Sequence, residues 1–279
     1  MTMPHSPDGQ PLTLDQALIN INQTEDLGLR YYAAWWLGRM RVSSLEAIDS
    51  LLLALQDETD RSPDGGFPLR RNAAKALGKL GDLTAVPALT QCLKCEDYYV
   101  RESAAQALEM LGDSSCVQAL LALLEGGVDA AVQVPGKPYL VQPYNAILEA
   151  LGTLGNVSLA PIVEPFLSHD TPQVCNAAAR AMYQFTGQAH YAERLVQVLR
   201  GDELQLRRSA LMDLGAVGYV SAADAIANTL AENSMKLIAL KGLLEHQLNT
   251  ETPPESPSEP GPALSGTTQS ILQLMDDLL

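Results

Sequence analysis

One phrase recurs along this chain at a nearly constant interval, and that interval limits the fold more than any other feature of the sequence. Leu69-Arg70-Arg71-Asn72-Ala73-Ala74 leads to Leu77-Gly78-Lys79-Leu80-Gly81-Asp82. Val100-Arg101-Glu102-Ser103-Ala104-Ala105 leads to Leu108-Glu109-Met110-Leu111-Gly112-Asp113, and Leu206-Arg207-Arg208-Ser209-Ala210-Leu211 leads to Leu214-Gly215-Ala216-Val217-Gly218. Weaker copies begin at Leu29-Arg30, Pro143-Tyr144 and Val174-Cys175, and a degenerate one at Leu237-Ile238. Marked at the arginine position, the copies stand at 30, 70, 101, 144, 175, 207 and 238, with steps of 40, 31, 43, 31, 32 and 31. A period near 31 accommodates two helices of about twelve residues and two turns.

Each unit reads as a helical hairpin. The phrase-bearing helix carries small residues where neighbours cross, and the Gly-x-x-Gly-Asp that follows supplies a left-handed turn and a cap. The next helix is apolar at helical spacing, as in Ala85-Val86-Pro87-Ala88-Leu89, with proline in its first turn. No hairpin could bury its apolar face alone, so neighbours must stack. The predicted fold is all-α: a right-handed α-solenoid of about six to seven hairpins with one continuous core and a concave groove. Composition agrees. Only 5% of residues are aromatic, fourteen rings in all, so the core is built from Ala, Leu and Val.

The two long steps mark insertions. One lies around Asp57–Pro68, the other around Gly126–Pro138, and both are loops by their Gly and Pro content. Insertions in a repeat array fall on one face, often the binding face. The domain reading is a flexible N-terminus over 1–12, the solenoid over 13–248, a disordered acidic Pro/Ser-rich linker over 249–266 and a short amphipathic helix over 267–279. That last helix either docks on this chain, docks on another protein, or frays.

The net charge is −15 with a pI near 4.6. Phosphate neutralisation needs a basic stripe, so nucleic acid is not an expected partner, nor is an anionic membrane surface. No apolar run reaches the length of a membrane span, and the first residues do not read as a signal peptide. Cys92, Cys95, Cys116 and Cys175 are expected to be reduced thiols. Cys92-x-x-Cys95 lacks a second pair or histidine at zinc spacing, so no metal site is expected. His5, His169, His190 and His246 do not cluster, and no hydrolase elbow or phosphate loop occurs. No catalytic residue is assigned.

Three arginines have an acid four residues, one helical turn, before them: Asp26 before Arg30, Asp97 before Arg101 and Glu203 before Arg207. Arg30, Arg70, Arg101 and Arg207 read first as a structural ladder. Arg71, Glu102 and Arg208, one step round the helix, read either as part of it or as groove-facing charge. Tyr31-Tyr32-Ala33-Ala34-Trp35-Trp36 holds both tryptophans, and Tyr98-Tyr99 opens another unit. At helical spacing Tyr32 shares a face with Trp36, and Tyr31 with Trp35. The rings either cap the exposed end of the array or form a flat wall for a conjugated ligand, which would want arginines nearby if it carried carboxylates.

Several stretches resemble a known family. They are Tyr-Tyr-Ala-Ala-Trp-Trp-Leu-Gly-Arg at 31–39, Asp-Glu-Thr-Asp-Arg-Ser-Pro-Asp-Gly-Gly at 57–66 and Leu-Arg-Arg-Asn-Ala-Ala-Lys-Ala-Leu-Gly-Lys-Leu-Gly-Asp at 69–82. Further matches lie at 96–108, 204–215 and 231–240. The resemblance is to the HEAT-like repeat bilin lyases of cyanobacteria. It covers roughly residues 12–246 and leaves the tail after about residue 248 outside.

That resemblance implies a heterodimer with a second, related repeat subunit. It implies that the pair binds phycocyanobilin and joins it through a thioether to a cysteine of the apo-phycocyanin alpha chain, and that the transfer can run backwards. Phycocyanobilin is then a substrate, no cofactor is implied, and the setting is the cyanobacterial cytoplasm. The thiol comes from the substrate protein, which explains the missing nucleophile; the enzyme gains by orienting the reactants. On this reading Tyr31, Tyr32, Trp35 and Trp36 form a stacking wall or shape the partner interface. Asp60, Arg61 and Asp64 reach from the inserted loop over the groove. Arg71, Tyr98, Tyr99, Arg101, Glu102 and Arg208 line the inner helices, with Asp213 as a weaker candidate. The alternative expectation is a non-catalytic scaffold or chaperone for apo-phycocyanin.

Overall fold

Five α-helices begin at an acid or hydroxyl, Thr13, Asp26, Ser44, Asp97 and Ser265, whose side chain accepts from a first-turn N–H. A computed structural model of the chain describes residues 12–250 and 264–279. The expectations for residues 1–11 and 251–263 lie outside the described residues. Among the described residues the regular structure is helical, apart from one antiparallel bridge between Gln133 and Leu140. No described helix is long and apolar enough to cross a membrane.

The chain divides into two compact units, the first ending at Gly155 and the second beginning at Asn156. In the first, α2 (Leu27–Arg39), α4 (Pro68–Leu80), α6 (Tyr98–Leu111) and α8 (Tyr144–Leu154) carry the recurring phrase and pack side by side. The helices α1 (Leu14–Asn22), α3 (Leu45–Ala54), α5 (Val86–Cys92) and α7 (Val117–Ala122) form a second layer against them. Asp26 caps α2 by accepting from the Leu29 N–H at 3.0 Å, and Asp97 caps α6 through Tyr99 N–H at 2.8 Å. Leu37, Leu51, Leu77, Leu89, Leu108 and Ile147 are fully buried between the layers.

The glycines of the repeated Gly-x-x-Gly divide their work, which corrects the reading that both make the turn. The second one turns the chain: Gly81 and Gly112 have φ of 77° and 75° and close their helices. The first one lets helices touch. A methyl on Gly38 would lie 2.7 Å from Ala76 Cα, and one on Gly78 would lie 2.7 Å from Ala107 Cα. In the first hairpin the turn position is Arg41, whose φ of 52° is the one positive value at a non-glycine among the described residues.

The acid–arginine pairs expected within one helical turn do not form: Asp26 caps α2, and Asp97 caps α6 with one oxygen and takes Arg71 and the Phe67 N–H on the other. Arg30 instead donates to Asp57 at 2.7 Å, to Thr59 and to the Ile21 carbonyl. Arg101 donates to the carbonyls of Cys95, Glu96 and Val141 and to Gln142 Oε1 at 2.9 Å. Arg207 donates to the carbonyls of Gly201 and Leu230. These arginines therefore tie their helices to neighbouring turns, Arg30 through Asp57 and Arg101 and Arg207 mainly through backbone carbonyls.

The second unit runs through α9 (Ala160–Val163), α10 (Pro172–Thr186), α11 (Ala189–Val198), α12 (Leu204–Val217), α13 (Ala223–Asn228), α14 (Asn233–Thr250) and α15 (Gly266–Asp276). Helices α10, α12 and α14 pack in sequence, with α11 and α13 against them. Helix α15 lies on α13 and α14, sinks Ile271 into the core beside Leu240 and Leu243, and ties its end through Leu278 carbonyl to Asn233 at 2.8 Å. It docks on this chain as an apolar cap over the last hairpin.

Candidate functional site

In the first unit both insertions converge on the N-terminal ends of α4 and α6. The second brings Tyr139, whose ring stacks on Tyr98 with centroids 4.4 Å apart and planes 15° from parallel. Tyr99 meets both rings edge-on at 5.3 and 5.6 Å. The Arg71 guanidinium lies over the Tyr99 ring at 4.4 Å from its centre. The first insertion folds over this group with Arg61, Asp64 and Gly66, leaving an open cleft of about 300 Å³.

Asp97 is the buried anchor of the arrangement. Its Oδ2 accepts from Arg71 Nε at 2.9 Å and from Phe67 N–H at 2.7 Å, while Oδ1 caps α6. Gly66 leaves room beside it, because a side chain there would displace the end of Arg71. Asp64 is exposed and accepts from Ser62 Oγ at 2.5 Å; this bond, with Arg71 and Lys137 nearby, holds its carboxyl below the usual range. Burial pushes the Tyr98 phenol well up, so it remains a donor. The cleft thus offers flat ring surface, a guanidinium and an ionised carboxylate together.

The candidate residues distribute unequally. Arg61, Asp64, Arg71, Tyr98 and Tyr99 meet at the cleft. Arg61 also pairs with Glu96 at 3.0 Å and lies over the Phe67 ring. Asp60 does not reach over the groove. It is buried and its Oδ2 accepts from the Leu69 N–H at 3.0 Å, capping α4, where Phe67 has no capping side chain. Arg101 is spent on the base of the second insertion. Glu102 is half-buried, and burial pushes its carboxyl up against the opposing pull of Lys75 and Arg71. On α2 the stacked pair is Tyr32 with Trp35, at 5.4 Å and 27°, rather than the two i,i+4 pairs. Tyr31 is exposed and Trp36 partly so.

Arg208 and Asp213 belong to the second unit. Arg208 pairs with Glu232, and Asp213 is buried against Arg180 at 3.4 Å. Neither is placed at the cleft by the first unit's geometry. Cys92 is buried, and its thiol is pushed up to about 11 by burial first and by Cys95 second, so it stays protonated. Tyr139, Asp97 and Lys137 were absent from the sequence candidates. The available signal for Tyr139 was its position directly after the second insertion.

Comparisons with known proteins agree with one another. The description "HEAT repeats" matches residues 61–133, and "PBS lyase HEAT-like repeat" matches residues 29–57. The chain is 58% identical over 267 residues to phycocyanobilin lyase subunit alpha of Picosynechococcus sp., covering 96% of each chain. It is 57% identical over 274 residues to the same-named protein of Nostoc sp., covering 98% of this chain and 96% of the relative. The bilin biosynthesis protein PecE of Nostoc sp. is 42% identical over 244 residues, 87% of this chain and 91% of that one. A chain of the solved complex of CpcE and CpcF of phycocyanin lyase from Nostoc sp. superposes with a TM-score of 0.89 at 54% identity, covering 100% of this chain and 99% of that one. A match of 274 residues in a chain of 279 cannot stop at residue 248, so the tail is part of the likeness, contrary to the sequence reading.

Proposed function

The chain belongs to the family of phycocyanobilin lyase alpha subunits, and from that membership we propose how its first unit serves the reaction. It is a bilin lyase subunit that works in a heterodimer with a second lyase subunit. The overall step adds a cysteine thiol of the apo-phycocyanin alpha chain across the ethylidene double bond of phycocyanobilin. A carbon–sulfur bond forms, the thiol proton passes to the neighbouring ring carbon, and nothing is oxidised. The pigment acts as a substrate, and the cyanobacterial sources of the relatives favour the cytoplasm as its setting.

The observation that carries the reading is the Tyr98–Tyr139 stack at the meeting of the two insertions. Insertions that break a repeat to bring a ring onto another repeat build a surface rather than a core. At about 300 Å³ the open cleft lies at the small end of ligand sites, so it suits one end of an open tetrapyrrole, with the remainder lying along the unit. Asp64 accepts pyrrole N–H groups of a protonated bilin, Arg71 and the phenols hold its ring oxygens, and the tyrosine faces keep it flat. Orientation is the main source of acceleration, because an unheld bilin meets a thiol in several geometries.

The test is transfer in the reconstituted pair with apo-phycocyanin alpha chain and pigment, read as covalent fluorescence. Replacing Tyr98 and Tyr139 together with Ala should lower transfer at least tenfold while circular dichroism stays that of wild type. Unchanged transfer by the folded double variant would remove the cleft from the mechanism.

A further inference from the structure

The free face of α2 and α4 carries a charge pattern at odds with the rest of the chain. Arg39, Arg41, Lys75 and Lys79 are all exposed, in a protein of net charge −15. None of the four takes part in an ion pair among the described residues. Lys75 and Lys79 stand one turn apart on α4, and the Gly38–Ala76 contact brings Arg39 level with that turn. Arg41, in its left-handed turn, donates to the Lys79 carbonyl at 3.3 Å. The Lys79 ammonium is held below the ordinary lysine value by partial burial first, then by the charges of Arg39, Lys75 and Arg41. The acid the cluster acts on is Glu102, whose carboxyl Lys75 pulls down against the rise that burial gives it. Four cations that repel one another and lack acids of their own form a site waiting for anionic charge.

The neighbours of this cluster select the kind of anion. Trp35 lies one turn before Arg39 and is stacked with Tyr32, so flat ring surface adjoins the cations. Arg71 of the cleft stands two turns before Lys79, about 12 Å along α4. A single extended molecule with one end among Tyr98, Tyr99 and Tyr139 therefore passes over the cluster with its middle. We propose that Arg39, Arg41, Lys75 and Lys79 anchor the two propionate carboxylates of the linear tetrapyrrole and so set its register along α4. This deepens the cleft reading and rests on it. An acidic protein surface has the same carboxylate chemistry, but it gives no account of the ring pair beside the cations.

The experiment titrates the full chain, together with its second subunit, with phycocyanobilin and with phycocyanobilin dimethyl ester, following pigment absorbance. The wild type should bind the free acid about tenfold or more tightly than the ester, the loss of one to two charge-assisted bonds. The Lys75→Gln/Lys79→Gln variant should lose about tenfold for the acid and nothing for the ester. Added free acid should also raise the melting temperature of wild type more than that of the variant. Equal binding of acid and ester by wild type overturns the anchor, as does equal loss of both by the variant. A variant that keeps pigment affinity but loses complex formation with the second subunit or with apo-phycocyanin overturns it in favour of an acidic protein surface. Tyr98→Ala/Tyr139→Ala weakens both pigment forms; if it weakens neither, the cleft reading fails whatever the cluster does.

Discussion

Tyr139 lies nearly parallel on Tyr98, although 41 residues separate them, and the pair closes the floor of the cleft. Stacking of this geometry contributes about 0.5–1.5 kcal/mol beyond area burial. Tyr139→Phe should keep transfer within about twofold of wild type, whereas Tyr139→Ala alone should lower it by roughly three- to tenfold. Steady-state fluorescence of the phycocyanin product distinguishes the two. Equal activity of the Phe and Ala variants would show that the ring face is not what matters.

Asp57 should carry an acid-dependent share of stability. Burial acts to raise its carboxyl, but the Asp60 N–H, Arg30 and Thr59 together leave it below the ordinary carboxylate value. A folded pKa below the unfolded one stabilises fully above the unfolded value, about 4, and the gain is lost as pH falls through the folded value. Asp60 is shifted the other way, raised chiefly by burial, and its contribution grows as pH falls. Asp57→Asn leaves Arg30 buried without its partner and should cost about 3 kcal/mol at pH 7. Urea unfolding at pH 7 and pH 3 tests this: the gap between variant and wild type should narrow at pH 3, and a constant gap would contradict it.

Gly38→Ala is a change whose sign the local sequence gets wrong. Helix propensity alone favours Ala by about 1 kcal/mol. The added methyl would lie 2.7 Å from Ala76 Cα, a backbone atom that cannot step aside. The variant should therefore be less stable by about 1–3 kcal/mol. A rise in melting temperature would mean that α2 and α4 do not touch as closely as described.

Ile271→Ala tests the terminal cap. Ile271 is 1% exposed and packs with Leu240 and Leu243. The substitution should cost about 2–4 kcal/mol, visible in chemical denaturation of the full chain. Wild-type stability in this variant would return α15 to the status of a frayed tail.

The hairpin array was legible because its determinants are local. Small residues at the crossings and a glycine that accepts positive φ recur in every clear copy, with an acid after it in two of the three, and those needs belong to each hairpin separately. The insertions were legible for the same reason, as interruptions of a period. Pairing was not. Asp26 and Asp97 stand four residues before an arginine, yet Asp26 caps its own helix and Asp97 divides itself between its own helix and Arg71, which a spacing rule does not weigh. Asp60, beside a candidate that does reach the cleft, turns inward and caps α4, where Phe67 has no capping side chain.

The sequence by itself determined the repeat, the aliphatic core, the two interruptions and, through its likeness at residues 31–82, the family. Only the tertiary structure decided that Tyr139 belongs with Tyr98, and that Arg39 and Arg41 of one hairpin join Lys75 and Lys79 of the next. The reason is that periodicity is set within a helix and its turns, whereas these groups meet through the lateral register of neighbouring helices, and that register is fixed by contacts such as Gly38 against Ala76.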